Sequence, residues 1–389
     1  MIKMTFLGDI MCDLSMACRF KQYQDENGAF DFHSVFSPVE HLLKESDIVI
    51  ANLETPISID NSDLTYKASD FNSPIEFAQA VKDCGIDVVS TANNHCLDRG
   101  LKGLKSTIDS LNQVGIKHCG VQIEKKKRHL VLQVGSLKIG MLAYTYGTNA
   151  FANHFYLSNK HITDVNLLQE QEGRVKQLYN RLFHGRFQRI ILGFEHILFP
   201  QNRGKQVFER ETLSFFQRIL ILRDIRQLRR EYPDLMIACL HVGGQLNQQP
   251  SLYTKRITEW FIKKGFSMVI DNHEHVIHGM SLVNGSIATY ALGDFLSGVG
   301  VRYAPFDRHA DYSVALHVYV DEIEKKVKKL SFSLMKRICR VGEKIEVWPA
   351  DQLLSFDCYR VSEDEILSVA KQFSGKDYSS VSAEYCIFE

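Results

Sequence analysis

Short apolar runs rich in β-branched residues recur along this chain, and several of them end directly in a polar residue. In the first half they alternate with stretches that have helical apolar spacing and Gly or Pro at their boundaries. The strand-like runs are residues 2–7, 48–51, 86–91, 130–133 and 139–144, and the helical stretches are residues 35–44, 74–84 and 103–115. Strands that alternate with helices predict an α/β layered core.

The amino-acid composition of the chain changes at about residue 149. Residues 149–232 are rich in Gln, Arg and Leu, and residues 211–230 are periodic enough for one long amphipathic helix. We therefore expect a largely helical insertion whose Arg/Gln face is ordinary solvated surface. The strand pattern resumes at residues 235–240, 266–270 and 287–292, and the alternating segments after residue 312 predict β-hairpins and a last helix near residues 363–373.

Charge and cysteine usage narrow the class of protein. The 46 basic residues balance the 46 acidic ones, so no net field gathers nucleic acid, and we expect no nucleic-acid partner. The 9 cysteines form no C-x-x-C pair, which suits a reducing compartment. The chain shows no signal peptide and no apolar run of membrane-spanning length. As given it reads as cytoplasmic, and a chain trimmed of a leader would read the same way.

The polar residues at the strand ends form the candidate site. They are Asp9, Asn52, Glu54, Asn94, His95, His241, His273, His275 and Asp294. Ligands of layered α/β sheets bind outside the carboxyl ends of the strands, where the loops converge above a rigid sheet. We therefore expect these side chains to line one pocket.

Several of these residues also have a purely structural interpretation. Asp9, behind a glycine, could cap a helix; Asn94 could be a turn residue; and His241 could be a hydrogen-bonded core histidine. His273 and His275 are more informative, because residues two apart on an extended chain share a face and can converge on one ion. The conjunction of six such strand ends favours a site over six unrelated roles.

The chemistry of the set favours metal binding. Carboxylate and amide oxygens mixed with imidazoles, without clustered thiols, suit Mn, Fe, Co or Zn. The candidates are too numerous for one tetrahedral ion. Two divalent ions about 3.5–4 Å apart, bridged by one carboxylate, would use them naturally and would suit attack on phosphorus.

Six motifs carry a family resemblance. They are GDIMCD (8–13), ANLETPIS (51–58), ANNHCLDRG (92–100), HVGGQ (241–245), HEHVIH (273–278) and ALGDF (291–295). In this order they resemble the CapA family of bacterial capsule synthesis proteins, which is associated with poly-γ-glutamate and belongs to the calcineurin-like metallophosphatase superfamily. The resemblance implies an α/β/β/α sandwich over residues 1–318, with the helical insertion at about 149–232. Residues 319–389 would form a β-hairpin and helix extension packed on that core.

The resemblance also implies roles for individual residues. It implies that Asp9 and His275 bind one metal, that Glu54 bridges both, and that the second metal is bound by Asn94, His241 and His273. His95 resembles the general acid that protonates the leaving group. Asp98, three residues further on, is our own candidate for orienting His95. The remaining candidates, for substrate contact or support of the ligands, are Asn52, Asn93, Gln245, His278 and Asp294.

The chain departs from the family pattern at several positions. Met11 stands where superfamily enzymes have a metal-binding His, a loss that the CapA family generally shares, so the first metal site is expected to be poorer in ligands. Leu14 lies near the place of a family arginine. Gln245 ends a motif that usually ends in Glu, Asp294 replaces an Asn, and His278 replaces a Gln. Exchanges around the ligands can change metal choice or substrate without abolishing binding.

The sequence leaves two functional hypotheses open, one an enzyme and the other a binding protein. The first is a dinuclear metal-dependent hydrolase that acts on a phosphoester or a γ-glutamyl-type amide in a small or polymeric acidic substrate. The second is a non-catalytic accessory protein that binds an acidic polymer or a synthase partner, and either form could be a homo-oligomer. Family members usually have a membrane anchor or leader and work outside the membrane, whereas this sequence shows no membrane segment. The insertion could serve as a lid or a docking element.

Overall fold

A computed structural model describes residues 1–17, 19–65, 71–123, 127–169, 171, 215–298, 309–339 and 344–389. The strands are β1 (Ile2–Ile10), β2 (Ile48–Leu53), β3 (Ile57–Ser58), β4 (Ser73–Pro74), β5 (Val88–Ser90), β6 (Lys117–Cys119), β7 (Leu130–Val134), β8 (Leu137–Thr145), β9 (Leu235–His241), β10 (Met268–Asn272), β11 (Ile277–Val283), β12 (Ser286–Leu292), β13 (Asp294–Leu296), β14 (Tyr312–Asp321), β15 (Lys326–Cys339), β16 (Ile345–Pro349) and β17 (Tyr385–Phe388).

Helices connect or cover these strands. They are α1 (Leu14–Ala17), α2 (His33–Phe36), α3 (Glu40–Lys44), α4 (Ile75–Asp83), α5 (Gly100–Val114), α6 (Phe215–Arg229), α7 (Leu252–Lys263) and α8 (Glu363–Ser374). Short 3-10 turns occupy Phe20–Tyr23, Asn61–Asp63, Gln352–Ser355 and Asp357–Tyr359. Within the described ranges, no helix is at once long and apolar enough to cross a bilayer.

Two large sheets organise the molecule. The first has the order β16-β15-β14-β1-β2-β5-β6, with β13 also paired to β1 and β17 to β15, and the second has the order β11-β12-β10-β9-β8-β7. Strands β1, β2, β5 and β6 run parallel, as do β8, β9, β10 and β12. Each sheet therefore has one edge at which the carboxyl ends of parallel strands lie together.

The apolar side chains divide the fold into four layers. Met4 and Phe6 of β1 point toward the second sheet and share one buried cluster with it, whereas Leu7 faces the helices α2 to α4. On the far side of the second sheet, Ile225 of α6 and Phe261 of α7 pack against its outer face. This arrangement of helix, sheet, sheet and helix confirms the α/β sandwich expected from the sequence.

The C-terminal segment is continuous with the first sheet. The predicted hairpin is formed by β14 and β15, which pair antiparallel with Val318 opposite Leu330, and the predicted last helix is α8. Ile366 and Phe373 of α8 join the cluster between the sheets. The expected boundary at residue 318 falls inside β14, and the division into a domain and an extension stays a prediction.

The expected insertion is described only at its two ends. Residues 149–169 form turns, with isolated bridges that join Val121 to Val165 and Thr145 to Leu167. The predicted helix over residues 211–230 is present as Phe215–Arg229, with its Arg side chains and Gln227 exposed and Gln217 buried. Residues 170, 172–210 and 211–214 lie outside the described residues, so the helical character of the insertion stays a prediction for that part.

Candidate metal centre

The polar strand ends of both sheets meet at one edge of the sandwich. Asp9 and Asn52 lie near the carboxyl ends of β1 and β2, and His241 ends β9 in the second sheet. The candidate ligands are all buried: Asp9, Glu54, Asn94, His241, His273 and His275. Glu54 is 0% exposed. The fold thus brings together side chains that lie as far apart along the chain as residues 9 and 275.

Gly8 allows β1 to lie very close to the backbone between β12 and β13. A Cβ atom at Gly8 would lie 1.7 Å from the carbonyl oxygen of Gly293, so no other residue fits there without moving the backbone. The next residue, Asp9, donates its backbone N–H to that same oxygen at 3.1 Å. The parallel pairing of β1 with β13 then sets Asp9 beside Asp294.

Asp9 is held by neighbours from β2 and from the segment that follows β10. Its Oδ1 accepts a hydrogen bond from Asn52 Nδ2 at 2.7 Å, and its Oδ2 accepts one from the backbone N–H of His273 at 3.1 Å. His275 Nδ1 lies 3.4 Å from Oδ2. Asp9 is therefore a buried carboxylate fixed by hydrogen bonds, and the alternative role as a helix cap is not what its side chain does.

His273 and His275 converge by a route that differs from the expected one. The strand β10 ends at Asn272, and His273 and His275 have φ values of 104° and 61°. Positive φ is unfavourable for residues other than glycine and concentrates at functional sites. The two imidazoles approach the carboxylate of Glu54 because the backbone turns sharply, not because it is extended.

Glu54 is the most unusual group in the centre. Neither of its carboxylate oxygens has a hydrogen-bond partner, and His241 Nε2 lies 3.3 Å from Oε1. Burial, followed by the nearby Asp9 carboxylate, raises the pKa of Glu54 well above its ordinary value. A buried carboxylate that lacks partners is costly unless a cation neutralises it.

The histidines facing Glu54 are suited to metal binding. Burial lowers the pKa of His241 to about 3 and lowers the pKa of His273 well below its usual range, so both rings are neutral, as metal ligands must be. His241 Nε2 lies 2.7 Å from Asn94 Oδ1. His273 Nδ1 is buried without a hydrogen-bond partner.

Within the part of the chain that the structure describes, three overlapping groups could hold a metal ion. The ligand atoms of each group lie within 4.8 Å of one another. The groups are Glu54 with His273 and His275, Asp9 with Glu54 and His241, and Asp9 with His275 and Asp294. The shared carboxylates and the unpartnered atoms of Glu54 and His273 fit cations at this place. Asp294, expected only as a supporting residue, belongs to one of the ligand groups.

His95 and Asp98 form a second feature beside the ligand groups. His95 Nδ1 lies 2.6 Å from Asp98 Oδ2, and the ring of Phe71 stacks on the imidazole with a centroid distance of 3.9 Å. Asp98 also accepts hydrogen bonds from the backbone N–H of Phe71 and from Asn153 Nδ2. Burial disfavours the charged ring, but the Asp98 carboxylate outweighs it and raises the pKa of His95.

The remaining candidates have more varied surroundings. Asn93 Nδ2 donates to the carbonyl oxygen of Leu53 at 2.7 Å, which ties the loop after β5 to β2. Gln245 Nε2 lies 3.3 Å from His275 Nε2. His278 Nε2 lies 2.7 Å from the carbonyl oxygen of Asn247. Substrate contact by His278 stays a prediction.

Four contacts were missed by sequence reasoning. Phe71 and Asn153 hold the pair of His95 and Asp98, Asn149 Oδ1 accepts from Asn94 Nδ2 at 3.4 Å, and Arg337 lies behind Asp294. None of the four belongs to a motif or follows a predicted strand of the first half. The only available signal was for Arg337, a cation inside a segment of alternating apolar residues.

Comparisons of the sequence show which known proteins this chain is similar to. A family model described as bacterial capsule synthesis protein PGA_cap matches residues 3–299. The capsule biosynthesis protein CapA of Bacillus anthracis is 24% identical over 305 residues, which cover 77% of this chain and 60% of that protein. The PGA biosynthesis protein CapA of Bacillus subtilis (strain 168) is 22% identical over 303 residues, which cover 76% of this chain and 63% of that protein.

A third relative carries no function in its name. The protein y4sH of Sinorhizobium fredii, described as uncharacterized, is 21% identical over 289 residues, covering 68% of this chain and 61% of that protein. The matches thus span about three fifths of the length of these curated relatives. The family model covers well over half of this chain. The chain belongs to the family of bacterial capsule synthesis proteins that this model describes.

Proposed function

We propose that this protein is a dinuclear metal-dependent hydrolase that acts on a phosphoester or a γ-glutamyl-type amide in capsule or poly-γ-glutamate biosynthesis. The observation that carries the proposal is the buried carboxylate of Glu54, which lacks hydrogen-bond partners and belongs to two overlapping ligand groups. A protein that only bound a polymer would gain nothing from such a group. The proposed ligands of the two ions are Asp9, Glu54, Asn94, His241, His273 and His275, with Mn, Fe, Co or Zn as the metals.

The proposed reaction uses the pair of His95 and Asp98 as its proton donor. Two divalent ions, when bound, supply Lewis acidity and lower the pKa of water toward about 7. Because Asp98 holds Nδ1 of His95, Nε2 is the nitrogen left to protonate the departing oxygen or nitrogen. The His95 side chain keeps 10% of its surface exposed and Asp98 keeps none, which suits His95 for meeting substrate and Asp98 for orienting it.

The substrate class rests on the relatives. Two of them are named for capsule or PGA biosynthesis, and poly-γ-glutamate is an acidic polymer joined by γ-glutamyl amides. A phosphoester is the alternative bond, because paired ions also suit displacement at phosphorus. Hydrolysis of either bond adds the oxygen of water to phosphorus or to the carbonyl carbon and places a proton on the leaving group.

The proposal is tested by metal analysis and a substrate panel. Elemental analysis of the purified protein is expected to give two divalent ions per chain. Phosphomonoesters, phosphodiesters and γ-glutamyl peptides are then assayed with Mn, Co and Zn, using His95→Ala as the inactive variant. His161→Ala is the matched control, since His161 forms the same kind of pair with Asp164, at 2.7 Å, outside the ligand groups.

The expected result is turnover of one substrate class that His95→Ala lowers by about 10²–10⁴-fold without loss of metal. His161→Ala should keep full turnover. A protein that contains no metal and hydrolyses nothing on the panel would instead be the accessory protein, a binder of acidic polymer or of a synthase partner. Full activity of the His95→Ala protein would remove His95 from the mechanism.

A further inference from the structure

Arg337 is a buried cation next to the candidate metal centre. It lies in β15, beyond residue 299, where the family match ends. Its side chain is 2% exposed. A guanidinium removed from water needs partners that satisfy its charge and its donors.

The guanidinium of Arg337 joins two segments of backbone to one carboxylate. Nη1 lies 3.3 Å from Asp294 Oδ2 and 3.2 Å from the carbonyl oxygen of Ser297, and it also contacts the Ser297 hydroxyl. Nη2 donates to the carbonyl oxygen of Ala310. The Ser297 hydroxyl in turn donates to Asp294 Oδ2 at 2.7 Å. One oxygen of Asp294 is therefore committed to Arg337 and Ser297.

The other oxygen of Asp294 faces a candidate metal ligand. Asp294 Oδ1 lies 2.8 Å from His275 Nδ1, and His275 shares a ligand group with Asp9. A carboxylate that accepts one ring N–H of a histidine fixes which nitrogen remains free for a metal and how the ring is turned. Here Asp294 holds Nδ1, which also lies 3.4 Å from Asp9 Oδ2, while Nε2 lies 3.3 Å from Gln245 Nε2.

We propose that Arg337 is a positioning residue of the metal centre. It holds Asp294 in the orientation that sets the tautomer and rotation of His275, and so it tunes the ion bound by Asp9 and His275. Its positive charge also offsets the carboxylates of Asp294 and of Asp13, which is buried nearby. This inference rests on the proposed function, because it requires that the centre binds metal.

The test compares metal binding by three variants with the wild-type protein. Arg337→Met removes the charge and the fork of donors, and Arg337→Lys keeps the charge alone. Lys336→Met is the matched control, because Lys336 precedes Arg337 on β15 but pairs with Asp311 and Glu365. Each protein is stripped with a chelator and titrated with Co²⁺, with calorimetry giving the affinities and the visible absorption spectrum giving the coordination of each ion.

The wild type and Lys336→Met are expected to bind two Co²⁺ ions with the same affinities. Arg337→Met should bind one ion as the wild type does and the other about 10–100-fold more weakly, with an altered spectrum. Arg337→Lys should fall between them, and it keeps the test decisive if Arg337→Met does not fold. A purely structural role would lower the unfolding midpoint of the stripped protein and leave the two affinities in their wild-type ratio, which would overturn the inference.

The two proposals fail in different ways. If the wild-type protein binds no Co²⁺, the proposed metal-dependent function is wrong, and the inference on Arg337 falls with it. If the wild type binds two ions and both Arg337 variants bind them equally well, only the inference on Arg337 is overturned.

Discussion

Glu54 lies in the protein interior with no hydrogen-bond partner on either carboxylate oxygen. Without metal, this carboxyl group is buried without partners and burial raises its pKa, so Glu54→Gln, which keeps the shape and removes the ionisable group, is expected to stabilise the metal-free protein. We expect a gain of about 1–3 kcal/mol in the free energy of unfolding at pH 8. With saturating metal the order should reverse, because the variant has lost a ligand. Urea unfolding with and without chelator measures both effects.

Glu76→Gln serves as the control for Glu54→Gln. Glu76 lies in α4 and belongs to none of the ligand groups, so its replacement should change neither the metal content nor the sign of the metal effect. A Glu54→Gln protein that is less stable than the wild type under both conditions would show that the Glu54 carboxylate is satisfied without an ion.

Asp98 is expected to contribute to catalysis by orienting the imidazole of His95. Asp98→Asn keeps the shape but replaces a charged acceptor by an amide, so His95 loses the partner that holds its Nδ1 at 2.6 Å. We expect kcat on the active substrate of the panel to fall by about 10²-fold, with the metal content unchanged. The control is Asp164→Asn in the similar pair of His161 and Asp164. Equal kcat values for Asp98→Asn and the wild type would contradict the orienting role.

At the scale of elements, the approach of β1 to the turn between β12 and β13 positions Asp9. Gly8→Ala would place a Cβ atom 1.7 Å from the Gly293 carbonyl oxygen, so the strands must separate. We expect a loss of about 2–3 kcal/mol in the free energy of unfolding and weaker metal binding. Gly279→Ala is the control, since its nearest neighbour would lie at an ordinary 3.4 Å. Denaturant unfolding and metal titration of both variants check this prediction.

The strand ends were predictable because strands have a local sequence period and the carboxyl edge of a layered sheet collects ligands. The same two rules predict that Asp9, Glu54 and His241 lie together, and they do. The extended geometry predicted for His273 and His275 was wrong, because positive φ at these residues is imposed by the surrounding fold and cannot be recognised from residue spacing. The supporting contacts of Arg337, Asn149 and Asn153 join residues that are far apart along the chain, so no local sequence pattern predicts them.

At the scale of the whole molecule, the C-terminal strands are tied to β1 by a buried polar network. His317 of β14 is 0% exposed; its Nδ1 lies 2.8 Å from Thr5 Oγ1, and its Nε2 lies 3.0 Å from Ser333 Oγ. Ser333 donates its own proton to the Ala383 carbonyl oxygen. Ser333 therefore accepts the proton of His317 Nε2–H, which fixes the ring as a neutral tautomer bridging three strands of the first sheet.

This network predicts how stability depends on pH. Burial, reinforced by the charge of Lys3, lowers the pKa of His317 to about 3, although Glu384 opposes the shift. A histidine of the unfolded chain titrates near pH 6.5. The neutral His317 of the folded protein therefore contributes its full stabilisation above pH 6.5, and this contribution is lost as the pH falls toward 3, at up to about 1.4 kcal/mol per pH unit. We expect His317→Asn to be less stable at pH 7 but to lose less stability than the wild type between pH 6.5 and 4.5.

The exposed His41 provides the control variant His41→Asn, which should keep the wild-type slope of stability against pH. Urea midpoints measured across this range decide the matter, and identical slopes for His317→Asn and the wild type would mean that His317 is already charged in the folded protein at pH 4.5.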